Sequence, residues 1–240
     1  MIKLENVCKK FNNKWITKGV TLTIPPGKMT VIVGKSGEGK SVLLKQMIGL
    51  IKPTKGSIFI DETDITKLNQ SELNGVFEKV GYVFQFAALL DSLTVFENMA
   101  LSLTEKGFSK KETLPIVKEK LTLVNLSQDI LSKYPSELSG GMLKRVGLAR
   151  TLIHNPKIIL YDEPVTGLDP ITARVVHELM NETQKKLNIT SVVVSHNIES
   201  FKYADHIALL QDGVISYFGD AQTIWEETDP DIYNFIRGIN

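Results

Sequence analysis

Eight consecutive residues, Gly34-Lys35-Ser36-Gly37-Glu38-Gly39-Lys40-Ser41, match G-x-x-x-x-G-K-[ST] at every fixed position. That spacing suits a loop that cradles a polyphosphate. Glycines let the backbone turn tightly, so successive N–H groups can point into one concavity. A helix opening at the end of the loop adds the positive end of its dipole. Lys40 is then placed for the β- and γ-phosphates, and the Ser41 hydroxyl for Mg²⁺. Glu38 is the odd member. A carboxylate facing phosphates would repel them, so its side chain is expected to point to solvent. A ligand-free Gly-rich turn between strand and helix is the plainer reading, but it gives no reason for the Lys-Ser pair. The loop by itself does not choose between a kinase, a GTPase and an ATPase.

The second half of the chain supplies the partners. Ile158-Ile159-Leu160-Tyr161-Asp162-Glu163 is an apolar run ending in two carboxylates. Acids at the C-terminal end of a parallel strand lie in the crevice where open α/β sheets bind ligands. Asp162 is expected to hold Mg²⁺, directly or through water, and Glu163 to orient and polarise an attacking water. A solvated strand end is the common alternative, and the phosphate loop weighs against it. His196 follows the run Ser191-Val192-Val193-Val194-Ser195 and should reach the same sheet edge, on the γ-phosphate side. Leu138-Ser139-Gly140-Gly141-Met142 precedes a helical pattern. It reads as a second anion site or, taken alone, as an ordinary N-cap.

The elements that must position these residues alternate. Residues 2–8, 20–24, 29–33 and 56–60 read as strands, and 40–50 as a helix directly after the strand Met29–Val33. The stretch 86–150 is mostly helical in pattern. Within it, Ser109 and Glu112 have capping-box spacing, and Pro115 follows. Residues 158–161 and 190–195 read as buried strands. Asp169-Pro170 offers an N-cap and first-turn proline for a helix over 171–187, and Asp212-Gly213 the turn of a hairpin. Alternation of this kind predicts a largely parallel sheet with helices on its faces.

Composition bounds the function. The 240 residues are 42% hydrophobic, enough for a real core. The net charge of +1 argues against a nucleic-acid binder working by counterion release. It hides an asymmetry: residues 1–120 hold 18 basic and 12 acidic side chains, and 121–240 hold 10 and 15. The single cysteine, Cys8, suits a reducing compartment. No apolar stretch approaches the ~20 residues that span a bilayer, and the N-terminus does not read as a signal peptide.

Taken together, these motifs resemble the ATP-binding cassette (ABC) ATPase family over residues 2–225. Phe11 looks like the aromatic that stacks on adenine, with Trp15 close by. Residues 34–41 look like the Walker A, Gln85 the Q-loop glutamine, 138–142 the signature, 158–163 the Walker B, Gly167-Leu168-Asp169 the D-loop and His196 the H-loop. The resemblance implies a single α/β cassette with a RecA-like core and N-terminal antiparallel strands. The core is expected over 1–85 and 151–225, with a helical subdomain at 86–150 and a tail at 226–240. It implies ATP and Mg²⁺ as cofactors, the latter held by Ser41, Gln85 and Asp162. Lys40, Gln85, Glu163 and His196 are the implied catalytic residues. Two cassettes would close head to tail, so that Ser139, Gly140, Gly141 and Asp169 serve the nucleotide of the partner chain. A separate transmembrane permease would dock near Gln85.

One departure narrows the reading. The signature is LSGGM, with Met142 where glutamine is usual. That variant is similar to the Mla/Mce-type cassettes of phospholipid transport, as are Phe84–Asn98 and the tail Asp229–Ile239. Where small Ser-Gly residues are usual, this chain has Phe86-Ala87. The resemblance implies a peripheral subunit on the cytoplasmic face of the inner membrane, working with a permease and an Mce-domain protein. Phe84, Phe86, Leu89, Leu90, Leu93, Val95 and Phe96 cannot all be buried in a small subdomain, so some are expected to form a permease groove. The rival readings are an amino-acid or other small-molecule importer and a soluble cassette without transport. A P-loop kinase or GTPase gives no reason for LSGGM and His196.

Overall fold

The computed structural model describes residues 1–237. The chain opens on a hairpin of β1 (Ile2–Phe11) and β2 (Lys14–Ile24). Asn12 and Asn13, both at positive φ, make the two-residue turn that suits twisted antiparallel strands. These strands are longer than the apolar runs suggest, because the polar residues 9–19 still form ladder bonds on one exposed flank. β3 (Met29–Val33) leads through the Gly-rich loop to α1 (Lys40–Met47). The helix stops three residues short of expectation, with Gly49 left-handed at φ 83° just beyond it.

β4 (Lys55–Ile60), β5 (Thr63–Asp64), α2 (Gln70–Lys79) and β6 (Val80–Val83) follow. Three helices come next: α3 (Val95–Glu105), α4 (Lys110–Leu123) and α5 (Gly140–Thr151). Ser109 and Glu112 form the expected capping box, so α4 starts at Lys110 and carries Pro115 inside it. The last segment is β7 (Ile158–Asp162), α6 (Pro170–Leu187), β8 (Thr190–Ser195), β9 (His206–Gln211), β10 (Val214–Asp220) and α7 (Pro230–Arg237). Asp212 and Gly213 turn the β9–β10 hairpin, as expected.

Two sheets result. The smaller runs β2-β1-β4-β5 and is antiparallel; the larger runs β10-β9-β3-β8-β7-β6. In the larger sheet β9, β3, β8, β7 and β6 are parallel, and β10 closes one edge antiparallel. Its central strands are buried on both faces, so their side chains divide by period two. Val31, Val33, Ile159 and Tyr161 pack into the core that includes α3–α6. Ile32, Ile158 and Leu160 pack with α1, α2 and the antiparallel sheet. All parallel strands therefore end at one edge, where the loop, both carboxylates and His196 emerge. Among the described residues no helix is long and apolar enough to cross a membrane.

Candidate nucleotide site

The loop 34–41 leaves the end of β3, and Gly39 is the N-cap of α1 at φ 96°, a conformation that favours glycine. Lys40 is buried. Its Nζ donates back to the carbonyls of Gly34, at 2.8 Å, and Lys35, at 2.9 Å, and so fills the middle of the loop. Burial lowers its pKa, while Glu163, Glu38 and Asp162 oppose that shift. Glu38 is half-buried, between the left-handed Gly37 and Gly39, and its charge opposes the lowering of the Lys40 pKa.

Asp162 ends β7 and is buried. Its Oδ1 accepts from Ser41 Oγ at 2.7 Å, and its Oδ2 accepts from Tyr82 Oη at 2.8 Å. A hydroxyl beside a carboxylate is a hard-oxygen donor pair, which fits Mg²⁺ when phosphate oxygens complete the shell. Among the described residues no group of three or more His, Cys, Asp or Glu could hold a metal without such help. Tyr82 was not anticipated. Its signal lies in β6, a strand that sequence reading missed, whose register sets Tyr82 beside Leu160.

Glu163 lies just past β7 at φ 47°, left-handed and non-glycine, which costs on the order of 1–3 kcal/mol. Its N–H donates to the Val194 carbonyl at 3.0 Å, tying the residue to β8. Its Oε2 accepts from Thr166 Oγ1 at 2.7 Å and meets His196 Nδ1 at 2.7 Å. The structure thus brings Glu163 and His196 together. An ionised Glu163 fixes the imidazole proton on Nδ1.

The other expected residues divide into two groups. Ser139 is exposed and caps α5, accepting from the Met142 N–H at 3.4 Å. Gly140 and Gly141 pack beside Leu168 and Thr172, and a Cβ on Gly141 would collide with Thr172 Cγ2. Asp169 caps α6 by accepting from Ile171 and Thr172 N–H at 3.1 and 3.0 Å. Among the described residues no hydrogen bond joins 139–141 or 169 to 34–41. Gln85 is half-buried and meets its surroundings through its carbonyl, which accepts from Lys144 Nζ. Lys144 was not anticipated; burial lowers its pKa and Glu163 opposes the shift. Phe11 and Trp15 are 42% and 37% exposed, each beneath a lysine ammonium, Lys9 and Lys10 respectively.

The apolar run after Gln85 splits as its composition demands. Phe84, Phe86 (81% exposed) and Leu90 face solvent, Val95 is buried, and Leu89, Leu93 and Phe96 are half-buried. Ala87 and Ala88 are both left-handed, at φ 41° and 51°, and Arg150 holds their carbonyls at 2.9 and 2.7 Å. Phe84, Tyr82, Leu50, Phe77 and Leu101 line a groove of about 430 Å³ on the outer side of β6.

A sequence model of the ABC transporter family matches residues 17–166. The chain belongs to the ABC transporter family and is built as its ATPase cassette. The cassette is 39% identical over 239 residues to the probable ribonucleotide transport ATP-binding protein mkl of Mycobacterium tuberculosis, covering 99% of this chain and 66% of that protein. It is 42% identical over 195 residues to the methionine import ATP-binding protein MetN of Carboxydothermus hydrogenoformans, covering 81% of this chain and 58% of that one. The cassette thus spans about two thirds or less of the length of these relatives. In structure it is similar to the ATP-binding cassette MJ0796, a dimer in a post-hydrolysis state with ADP and Pi. The TM-score is 0.84 at 34% identity, over 92% of this chain and 99% of that one. It is also similar to cbiO1 of Clostridium perfringens, part of the transporter complex cbiONQ. There the TM-score is 0.87 at 27% identity, over 98% of this chain and 94% of the other.

Proposed function

We propose that the chain binds and hydrolyses ATP as the energising subunit of an ABC transporter. The observation that carries this is the Ser41–Asp162 hydrogen bond of 2.7 Å. It places the phosphate loop and the acid at the end of β7 at one point. In this reading 34–41 binds the phosphates and Phe11 stacks on adenine. Lys40 exchanges its carbonyl partners for the β- and γ-phosphates. Ser41, Asp162 and Gln85 hold Mg²⁺, which when bound neutralises phosphate charge. Glu163 orients the attacking water and accepts its proton, while His196 steadies that carboxylate and faces the γ-phosphate. Among the described residues Ser139, Gly140, Gly141 and Asp169 make no hydrogen bond to their own loop. They serve the nucleotide of a second copy arranged head to tail, and dimeric MJ0796 supports pairing of two cassettes.

Glu163→Gln is expected to keep ATP binding, lose hydrolysis by at least about a hundredfold, and accumulate a dimer by light scattering with ATP. Hydrolysis at the wild-type rate would overturn the assignment of Glu163.

We further infer that the cargo is phospholipid, moved by an Mla/Mce-type system with the cassette on the cytoplasmic face of the inner membrane. Met142, the segment Phe84–Asn98 and the tail Asp229–Ile239 support this, although residues 238–239 lie outside the described residues. The exposed Phe84, Phe86 and Leu90 suit a permease helix docked near Gln85, with 86–150 as the subdomain that moves. The names of the relatives favour a second reading, a transporter of ribonucleotide or an importer of methionine class. Detergent extraction of the tagged chain decides between them. A permease with an Mce-domain protein is expected to co-purify; a solute-binding-protein system would sink the lipid reading.

A further inference from the structure

Tyr82 reaches from β6 to the acid at the end of β7 and also lines a groove at the sheet edge. Its hydroxyl donates to Asp162 Oδ2 at 2.8 Å. Its ring lines the outer groove, and lies 4.5 Å from the Phe84 ring, centroid to centroid, at 48°. Phe84 is exposed on its other side. The Asp162 carboxylate is held from two sides: Ser41 fixes Oδ1 from α1, and Tyr82 fixes Oδ2 from β6. Both oxygens are thereby oriented, which a lone hydroxyl on Oδ1 would not achieve. Among the described residues β6 is the edge strand of its sheet and pairs only with β7. A small displacement of β6 therefore works against a single ladder.

We propose that Tyr82, with Phe84 packed on its ring, is a positioning residue that sets the Asp162 carboxylate, and so the affinity of the site for a divalent cation–nucleotide complex. Partners of metal-ligating groups fix ligand orientation, and their loss typically weakens metal binding about 10–100-fold. Phe84 backs the Tyr82 ring, and the hydroxyl carries the setting of that ring to Oδ2. The inference rests on reading 34–41 and Asp162 as the nucleotide–metal site.

Mn²⁺ serves as the probe, titrated by electron paramagnetic resonance with a non-hydrolysable ATP analogue. Tyr82→Phe keeps the ring and removes only the donor, so the fold is retained. Its half-saturating Mn²⁺ concentration is expected to rise on the order of tenfold, with analogue binding in EDTA unchanged. Phe84→Ala is expected to raise the same value about threefold in the wild-type background and to add nothing in the Tyr82→Phe background. Superimposable Mn²⁺ titrations for wild type and Tyr82→Phe would overturn the proposal. So would a Phe84→Ala effect that persists without the hydroxyl, or no Phe84→Ala effect at all. Absence of metal-dependent nucleotide binding in the wild type overturns the site reading itself, and this inference with it.

Discussion

Lys40 is the residue on which binding and packing meet. Its ammonium is buried, and two of its three N–H groups donate to loop carbonyls rather than to a carboxylate. Phosphate oxygens are better acceptors for it than carbonyls, because they add the attraction between two full opposite charges. Lys40→Ala is therefore expected to lose about 1.5–3 kcal/mol of nucleotide binding, or roughly 10–100-fold in Kd. Its melting temperature should fall by a few degrees as well, since the buried Gly34 carbonyl loses its donor. Calorimetric titration with ATP checks the first point, and unchanged affinity would refute the phosphate-loop reading. At this scale the sequence was most legible where spacing carries the chemistry: Gly34–Ser41, Asp162, Glu163 and His196 all reach one sheet edge. Tyr82 and Lys144 were not legible. Each acts through a contact between distant segments, 80 residues for Tyr82–Asp162 and 59 for Lys144–Gln85, that no local pattern announces.

At the scale of elements, the approach of α5 to α6 sets where Ser139 is presented. Gly141 lets the start of α5 lie against Thr172, in the first turn of α6. Gly141→Ala is expected to cost about 1–3 kcal/mol by overpacking, read as a fall of roughly 2–4 °C in Tm per kcal/mol for a chain of this size. The atom in the way is Thr172 Cγ2, so Thr172→Ser in the same chain should recover most of the loss. If the double variant melts no higher than Gly141→Ala alone, the contact is not the cause. Elements whose caps and turns are local were readable: the Ser109 box, the Asp169-Pro170 start and the Asp212-Gly213 hairpin all formed as expected. β6 was not, because four residues at a sheet edge, Val80-Gly81-Tyr82-Val83, give too short a run to stand out. The extension of β1 and β2 beyond their apolar stretches was hidden for another reason. Pairing with a neighbour, not side-chain polarity, makes Lys14–Gly19 a strand.

For the whole molecule, burial of two histidines makes stability depend on pH. His177, on α6, is buried with Nε2 unpartnered, and burial lowers its pKa against a small opposing pull from Glu199. His154 is lowered in the same direction, first by burial and then by Lys106. The unfolded chain protonates both near 6.5, while the folded chain resists. Below that pH the unfolded state binds more protons, so stability is full above about 6.5 and falls as pH drops toward the folded values. Tm is therefore expected to decline between pH 7.5 and 5.5. His177→Gln removes the group with the deeper burial, and should flatten that decline whatever it does to Tm at neutral pH. Parallel Tm–pH curves for variant and wild type would show that His177 does not carry the effect. The charge asymmetry between chain halves does not predict this behaviour. The basic loop and the acidic strand end neutralise each other at the nucleotide site, so the pH response belongs to groups that burial isolates. α6 thus has two separate tasks: its first turn holds Thr172 against Gly141, and His177, further along the helix, makes the fold sensitive to acid.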